Sequence, residues 1–162
     1  MAPVSPLYLR DEELERALEL LFLAYFQLVE AGLRPLAGRG LSAKDYLLLF
    51  LLKRHPGVTV AELTRWLAAS KQALSRHVIK LKAMGLLAER EGADRRTKPL
   101  VLTHEGLAVL GEALVVQRRQ LKRVFRQAGP DAVAGFLSVV QGVGEERRRF
   151  AGGGLGEGAG ER

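Results

Sequence analysis

The apolar and polar positions divide the chain into six helical stretches and one hairpin. Asp11, Glu12 and Glu13 put negative charge where a helix N-terminus favours it, and an apolar-rich stretch follows as far as Ala31, before Gly32 and Pro35. This predicts a first helix over residues 11–31. It is apolar around most of its circumference between Ala17 and Val29, more than one core-facing stripe requires, so it is expected to pack on two sides, one of them a second subunit.

Ser42 and Asp45 have the spacing of a capping box and start a second helix over 43–54, stopped by His55-Pro56-Gly57. Thr59 and Glu62 repeat the device for a short third helix over 60–67. Ala68-Ala69-Ser70 forms a tight link with Ser70 as N-cap, and a fourth helix over 71–84 closes at Gly85. Two helices joined so closely have the spacing of a helix-turn-helix. Residues 86–90 and 99–102 then flank a polar loop and read as a hairpin. Thr103 caps a fifth helix over 104–127, ended by Gly129-Pro130, and Pro130 opens a sixth that ends near residue 150. In that last helix Gly135, Gly142 and Gly144 each cost about 1 kcal/mol relative to alanine. Residues 151–162, rich in glycine, read as a disordered tail.

The expected fold is mainly α with a small β-hairpin wing. A winged helix-turn-helix domain at 42–102 lies between helical regions at 11–34 and 104–150.

Composition removes whole classes of chemistry. The chain of 162 residues has no cysteine, which excludes disulfides, thiolate metal sites and thiol redox switching. Its longest apolar runs, residues 20–26 and 46–52, are far shorter than the ~18 residues of a membrane-spanning helix, and no secretory signal opens the sequence. A cytoplasmic protein without membrane attachment is expected. His55, His77 and His104 lie in different elements without metal-ligand spacing, and no phosphate-cradling glycine loop or distinguished carboxylate pair is present. Neither a metal, a cofactor nor an enzymatic activity is expected.

Charge gives the positive indication. The net charge is +7, and residues 71–98 alone carry eight basic side chains against three acidic ones. In the fourth helix Leu74, Val78 and Leu81 share one face, which must point to the core. Gln72, Arg76 and Lys80 lie opposite, with Lys71 and Ser75 near the helix start. A solvated basic face is the plainer reading of an arbitrary helix, but the second helix of a helix-turn-helix reads the major groove with such donors. Arg95 and Arg96 at the hairpin tip can reach the minor groove, whose negative potential attracts guanidinium groups, and Lys98 is a further DNA-binding candidate on the same loop. Asp94, which would repel phosphate, is assigned to bracing the wing.

Ser70-Lys71-Gln72-Ala73-Leu74-Ser75-Arg76, then Gly85-Leu86-Leu87, then Asp94-Arg95-Arg96-Thr97-Lys98-Pro99-Leu100-Val101-Leu102-Thr103, resemble the MarR family of bacterial transcription regulators. The aspartate-x-arginine wing motif running into leucine-threonine is its most specific mark. The opening Leu7-Tyr8-Leu9-Arg10-Asp11-Glu12-Glu13-Leu14 is similar to a smaller PetP-type subgroup. The resemblance implies a homodimer formed by the terminal helices, with Leu14, Leu18, Leu21, Phe22, Tyr25, Phe125 and Phe136 in the interface. It also implies a pseudo-palindromic DNA operator, with Arg96 as the minor-groove arginine and Arg95 nearer a phosphate. A small aromatic or anionic effector is a further implied partner, for which Phe22, Tyr25, Phe26, Tyr46 and Phe50 are the candidate lining; ordinary core packing is the competing role of each. His77 departs from the family pattern, standing where an apolar residue is usual, and reads as a half-buried helix residue or as a source of pH sensitivity. The rival to a sequence-specific regulator is an architectural protein that binds nucleic acid without regard to sequence. A membrane-surface role has one candidate, the basic stretch Arg118, Arg119, Lys122, Arg123 and Arg126 of the fifth helix.

Overall fold

The computed structural model describes residues 7–67, 69–91 and 98–152, the side chains only as far as residue 145. The elements run in the order α1 (Asp11–Leu33), α2 (Ala43–Arg54), α3 (Val60–Leu67), α4 (Lys71–Ala83), β1 (Leu87–Glu89), β2 (Leu100–Leu102), α5 (His104–Ala128) and α6 (Pro130–Gly152), with short 3₁₀ turns at Leu7–Leu9 and Arg34–Leu36. The chain divides into two compact units, Met1–Gln117 and Arg118–Arg162, so α5 contributes to both. Among the described residues no helix is long and apolar enough to cross a membrane.

Every predicted cap forms. Ser42 Oγ accepts from the Asp45 amide at 3.2 Å while Asp45 Oδ2 accepts from the Ser42 amide at 2.8 Å, and Thr59 with Glu62 repeats the pair at 3.3 and 2.7 Å. These donations from Thr59 hold the Glu62 carboxyl below the usual range. Ser70 Oγ accepts from Ala73 N at 3.1 Å, and Thr103 Oγ1 from Gly106 N at 3.0 Å. Each satisfies a backbone donor that a helix start would otherwise leave open.

Two helix ends differ from the sequence expectation by two residues, the other boundaries by at most one. The first helix runs through Gly32 to Leu33. A Cβ on Gly32 would stand 2.8 Å from Gln117 Nε2 and 3.1 Å from Tyr46 Cζ, so glycine there permits close packing instead of ending the helix. The sixth helix persists past its three glycines to Gly152, taking in the first two residues of the expected tail; residues 153–162 lie outside the described residues.

The core of the first unit gathers Leu48, Leu49 and Leu52 of α2, Leu63 of α3, Leu74, Val78 and Leu81 of α4, and Leu87 and Leu100 of the two strands. Val109, Leu110, Ala113 and Leu114 of α5 belong to the same cluster, so the first half of that helix, assigned to a separate helical region on sequence, completes the winged-helix core. The strands pair antiparallel with Leu87 opposite Leu102 and Glu89 opposite Leu100. Residues 57 and 58 add to β2 through Gly57 N–Leu100 O and Leu100 N–Val58 O, each 2.9 Å.

The turn out of α4 aims the wing. Gly85 adopts φ 70°, a left-handed conformation suited to glycine, and Leu86 N closes the helix end on Leu81 O at 2.9 Å. Thr103 then binds back, its amide to Leu86 O at 3.2 Å and its hydroxyl to Gly85 O at 2.6 Å.

Candidate nucleic-acid interface

The residues of α4 separate by face as their spacing requires. Leu74, Val78 and Leu81 are buried, Lys71, Gln72 and Arg76 are exposed, and Ser75 is half-buried beside them. With Ser70 capping the start, this polar ridge stands on a helix whose other side is fixed in the core. Ile79 shares the exposed side and is 66% exposed. Ile79 was not among the candidates expected from sequence, although an isoleucine out of step with Leu74, Val78 and Leu81 is a signal that periodicity carries.

Lys80 is placed differently from the rest of the ridge. Its Nζ donates to Asp45 Oδ2 at 2.5 Å and to the carbonyl of Gly40 at 2.6 Å. His77 Nδ1 meets the other oxygen, Asp45 Oδ1, at 2.7 Å, and the imidazole is half-buried, one of the two roles its sequence position suggests. Asp45 is 0% exposed. Burial alone would raise its pKa, but the Lys80 ammonium, the Ser42 amide, His77 and the Ser42 hydroxyl outweigh burial and bring it from 3.8 down to about 2. An ionised carboxylate only accepts, so His77 Nδ1 is the donor. From its spacing to Ser42 alone, Asp45 reads only as part of a helix cap. Nothing local to residues 42–45 could reveal partners on α4.

On the wing side, Lys98 is exposed, with its Nζ 3.9 Å from Glu89 Oε2, while Lys82 of α4 reaches Glu89 Oε1 at 2.9 Å. Asp94, Arg95 and Arg96 lie outside the described residues.

The aromatic residues named for an effector are divided. Phe22, Tyr25 and Phe26 stand on the exposed side of α1, with Tyr25 and Phe26 edge to face at 5.6 Å, and Phe50 is half-buried. Tyr46 is buried, and its hydroxyl donates to Gln117 Oε1, whose amide nitrogen in turn donates to Leu28 O at 2.6 Å. Burial raises the Tyr46 phenol above its ordinary pKa. Leu14, Leu18 and Leu21 join Phe22 among the exposed apolar side chains of α1. In the second unit Phe125 meets Phe136 edge to face at 6.4 Å, and Phe136 is exposed. Arg118, Arg119, Lys122, Arg123 and Arg126 are all exposed.

A short helix, a tight link, a second helix with an exposed polar ridge and a two-stranded wing behind it define a winged helix-turn-helix protein, the architecture of DNA-binding regulators. Residues 39–97 match the MarR family profile. The HTH-type transcriptional regulator PetP of Rhodobacter capsulatus is 33% identical over 138 residues, which cover 85% of this chain and 83% of PetP. The chain belongs to the MarR family of winged-helix transcription regulators. Among solved structures, FabT of Streptococcus pneumoniae in complex with DNA matches with a TM-score of 0.70 at 15% identity, over 87% of this chain and 99% of FabT. The Mycobacterium tuberculosis MarR family protein Rv2887 in complex with salicylic acid matches with a TM-score of 0.57 at 26% identity, over 88% of this chain and 99% of that one.

Proposed function

We propose that two copies of the chain bind a pseudo-palindromic DNA site, each setting α4 in a major groove and its wing over the neighbouring minor groove. The exposed ridge of α4 carries this reading, since it offers donors on the side opposite the buried Leu74, Val78 and Leu81. Arg76 and Gln72 have the forked side chains that pair with guanine and adenine edges. Lys71 and Ser75 near the helix start suit phosphate oxygens, and Ile79 suits a thymine methyl group. Lys98 adds a cation at the wing, and the motif in the sequence assigns Arg96 to the minor groove, Arg95 to a phosphate and Asp94 to bracing the wing.

A dimer follows from the apolar surface left on a single chain. Phe22 is 60% exposed and its neighbours Leu14, Leu18, Leu21 and Tyr25 are also uncovered, a cost that a partner removes. Phe125 and Phe136 are the assigned contribution of the second unit. The protein acts by binding and not by turnover, in the bacterial cytoplasm where its DNA lies. A small aromatic or anionic effector modulates it, a reading supported by the salicylate bound to Rv2887. Phe22, Tyr25, Phe26, Tyr46 and Phe50 remain the proposed lining.

Titrating the protein into a pool of random-sequence duplexes at increasing salt tests the electrostatic part of this reading. Phosphate contacts from two basic faces require affinity to fall steeply between low and physiological salt. A flat dependence overturns the assignment of the α4 face, and equal affinity for every duplex marks an architectural protein instead.

A further inference from the structure

Asp45 is the single charged side chain fully buried among the described residues, and it lies behind the helix assigned to reading DNA. A carboxylate in that position is tolerated only where donors surround it. Ser42 supplies its amide at 2.8 Å and its hydroxyl at 2.9 Å, and α4 supplies His77 at 2.7 Å and Lys80 at 2.5 Å. The two α4 donors are three residues apart and grip different oxygens of the same carboxylate. One such bond would leave the helix free to roll about it, whereas two, nearly one turn apart, resist rolling. The buried apolar side of α4 sets its rotation coarsely, and the two directional bonds to the carboxylate hold it more narrowly than non-directional apolar contact does. Lys80 also holds the carbonyl of Gly40 at 2.6 Å, which ties α4 to the segment leading into α2.

We propose that Asp45, His77 and Lys80 form a clamp that fixes the rotation of α4 and so aims its polar ridge, and that Lys80 is a positioning residue and not a phosphate contact. The proposal rests on α4 being the reading helix. It reassigns a lysine that sequence spacing places among the DNA-facing donors.

The test uses the full chain and two readouts. Lys80→Met removes the ammonium at a partly exposed position, and Asp45→Asn removes the charge that His77 and Lys80 both meet; should Asp45→Asn fail to fold, Lys80→Met alone decides. The first readout is amide hydrogen exchange without DNA. The clamp predicts that amides from residue 76 to 84 exchange about tenfold faster in Lys80→Met, with those of α1 unchanged. The second is the salt dependence of binding to a duplex enriched from a random pool by the unmodified protein. Lys80→Met is expected to weaken binding about tenfold while the slope of log affinity against log salt stays constant, because a residue that touches no phosphate releases no counterion. A slope reduced by about one per subunit, or α4 amides that exchange at the original rate, overturns the proposal. If no duplex is enriched, the DNA-reading assignment itself fails, and the exchange readout still decides whether the clamp exists.

Discussion

A single methyl group added at Gly106 should break the joint between the reading helix and the wing. An alanine Cβ there would lie 1.9 Å from the carbonyl oxygen of Leu86 and 2.9 Å from its carbon, and both are backbone atoms with no rotamer to yield. Either α5 or the Gly85–Leu86 turn must move. Two hydrogen bonds at the base of the wing span that gap, Thr103 N to Leu86 O at 3.2 Å and Thr103 Oγ1 to Gly85 O at 2.6 Å. Losing both costs about 2 kcal/mol, and relieving the overlap adds about 1–3 kcal/mol. Alanine returns about 1 kcal/mol over glycine through helix propensity, so the net destabilisation is about 2–4 kcal/mol. Gly111 on the same helix is the internal control, because a Cβ there meets nothing within 4 Å. Gly111→Ala should be neutral or stabilise by about 0.5–1 kcal/mol. Urea unfolding at one fixed protein concentration measures both variants, the fixed concentration being needed because a dimer's stability depends on it. Gly106→Ala as stable as the original chain, or shifted like Gly111→Ala, would refute the close approach of α5 to the Leu86 turn.

Asp45 makes stability pH-dependent in a defined window. Its folded pKa of about 2 lies below its ordinary value of 3.8, so its contribution is present above pH 4 and disappears as the pH falls through about 2. The shift corresponds to about 2.5 kcal/mol, and urea unfolding at pH 5 and pH 2.5 should show Asp45→Asn losing far less stability on acidification than the original chain. Arg76→Ala should cost about 1–3 kcal/mol in binding an enriched duplex and relax preference at one base position, measured by competition among single-base variants. Arg96→Ala should weaken the same binding at fixed salt without altering the dimer, and unchanged affinity would remove the minor-groove assignment. Phe22→Glu, at an exposed apolar position of α1, should shift the protein from dimer toward monomer in sedimentation; an unaffected dimer would place the interface elsewhere.

Which features were legible in the amino-acid sequence follows from how local their causes are. Ser42, Thr59, Ser70 and Thr103 each cap a helix through partners three residues away, and all four formed as spacing predicts. Leu74, Val78 and Leu81 announce the buried side of α4 through period alone. Gly32 was misleading because its reason for being glycine lies in Tyr46 and Gln117, which are distant in sequence. The first half of α5 showed its apolar side but not its neighbour, and the neighbour proved to be the winged-helix core. The Asp45 cluster was least visible, since its bonds to His77 and Lys80 span 32 and 35 residues. Lys80 therefore read as one more exposed cation, and His77 as an oddity of the fourth helix.

Selecting bound sequences from a pool of random duplexes with the full-length protein tests the central claim most directly. A symmetric dimer reading two major grooves should enrich an inverted repeat whose half-sites lie about one helical turn, ~34 Å, apart. Recovery of no consensus, or of an asymmetric motif without a repeat, would contradict a dimeric groove-reading regulator.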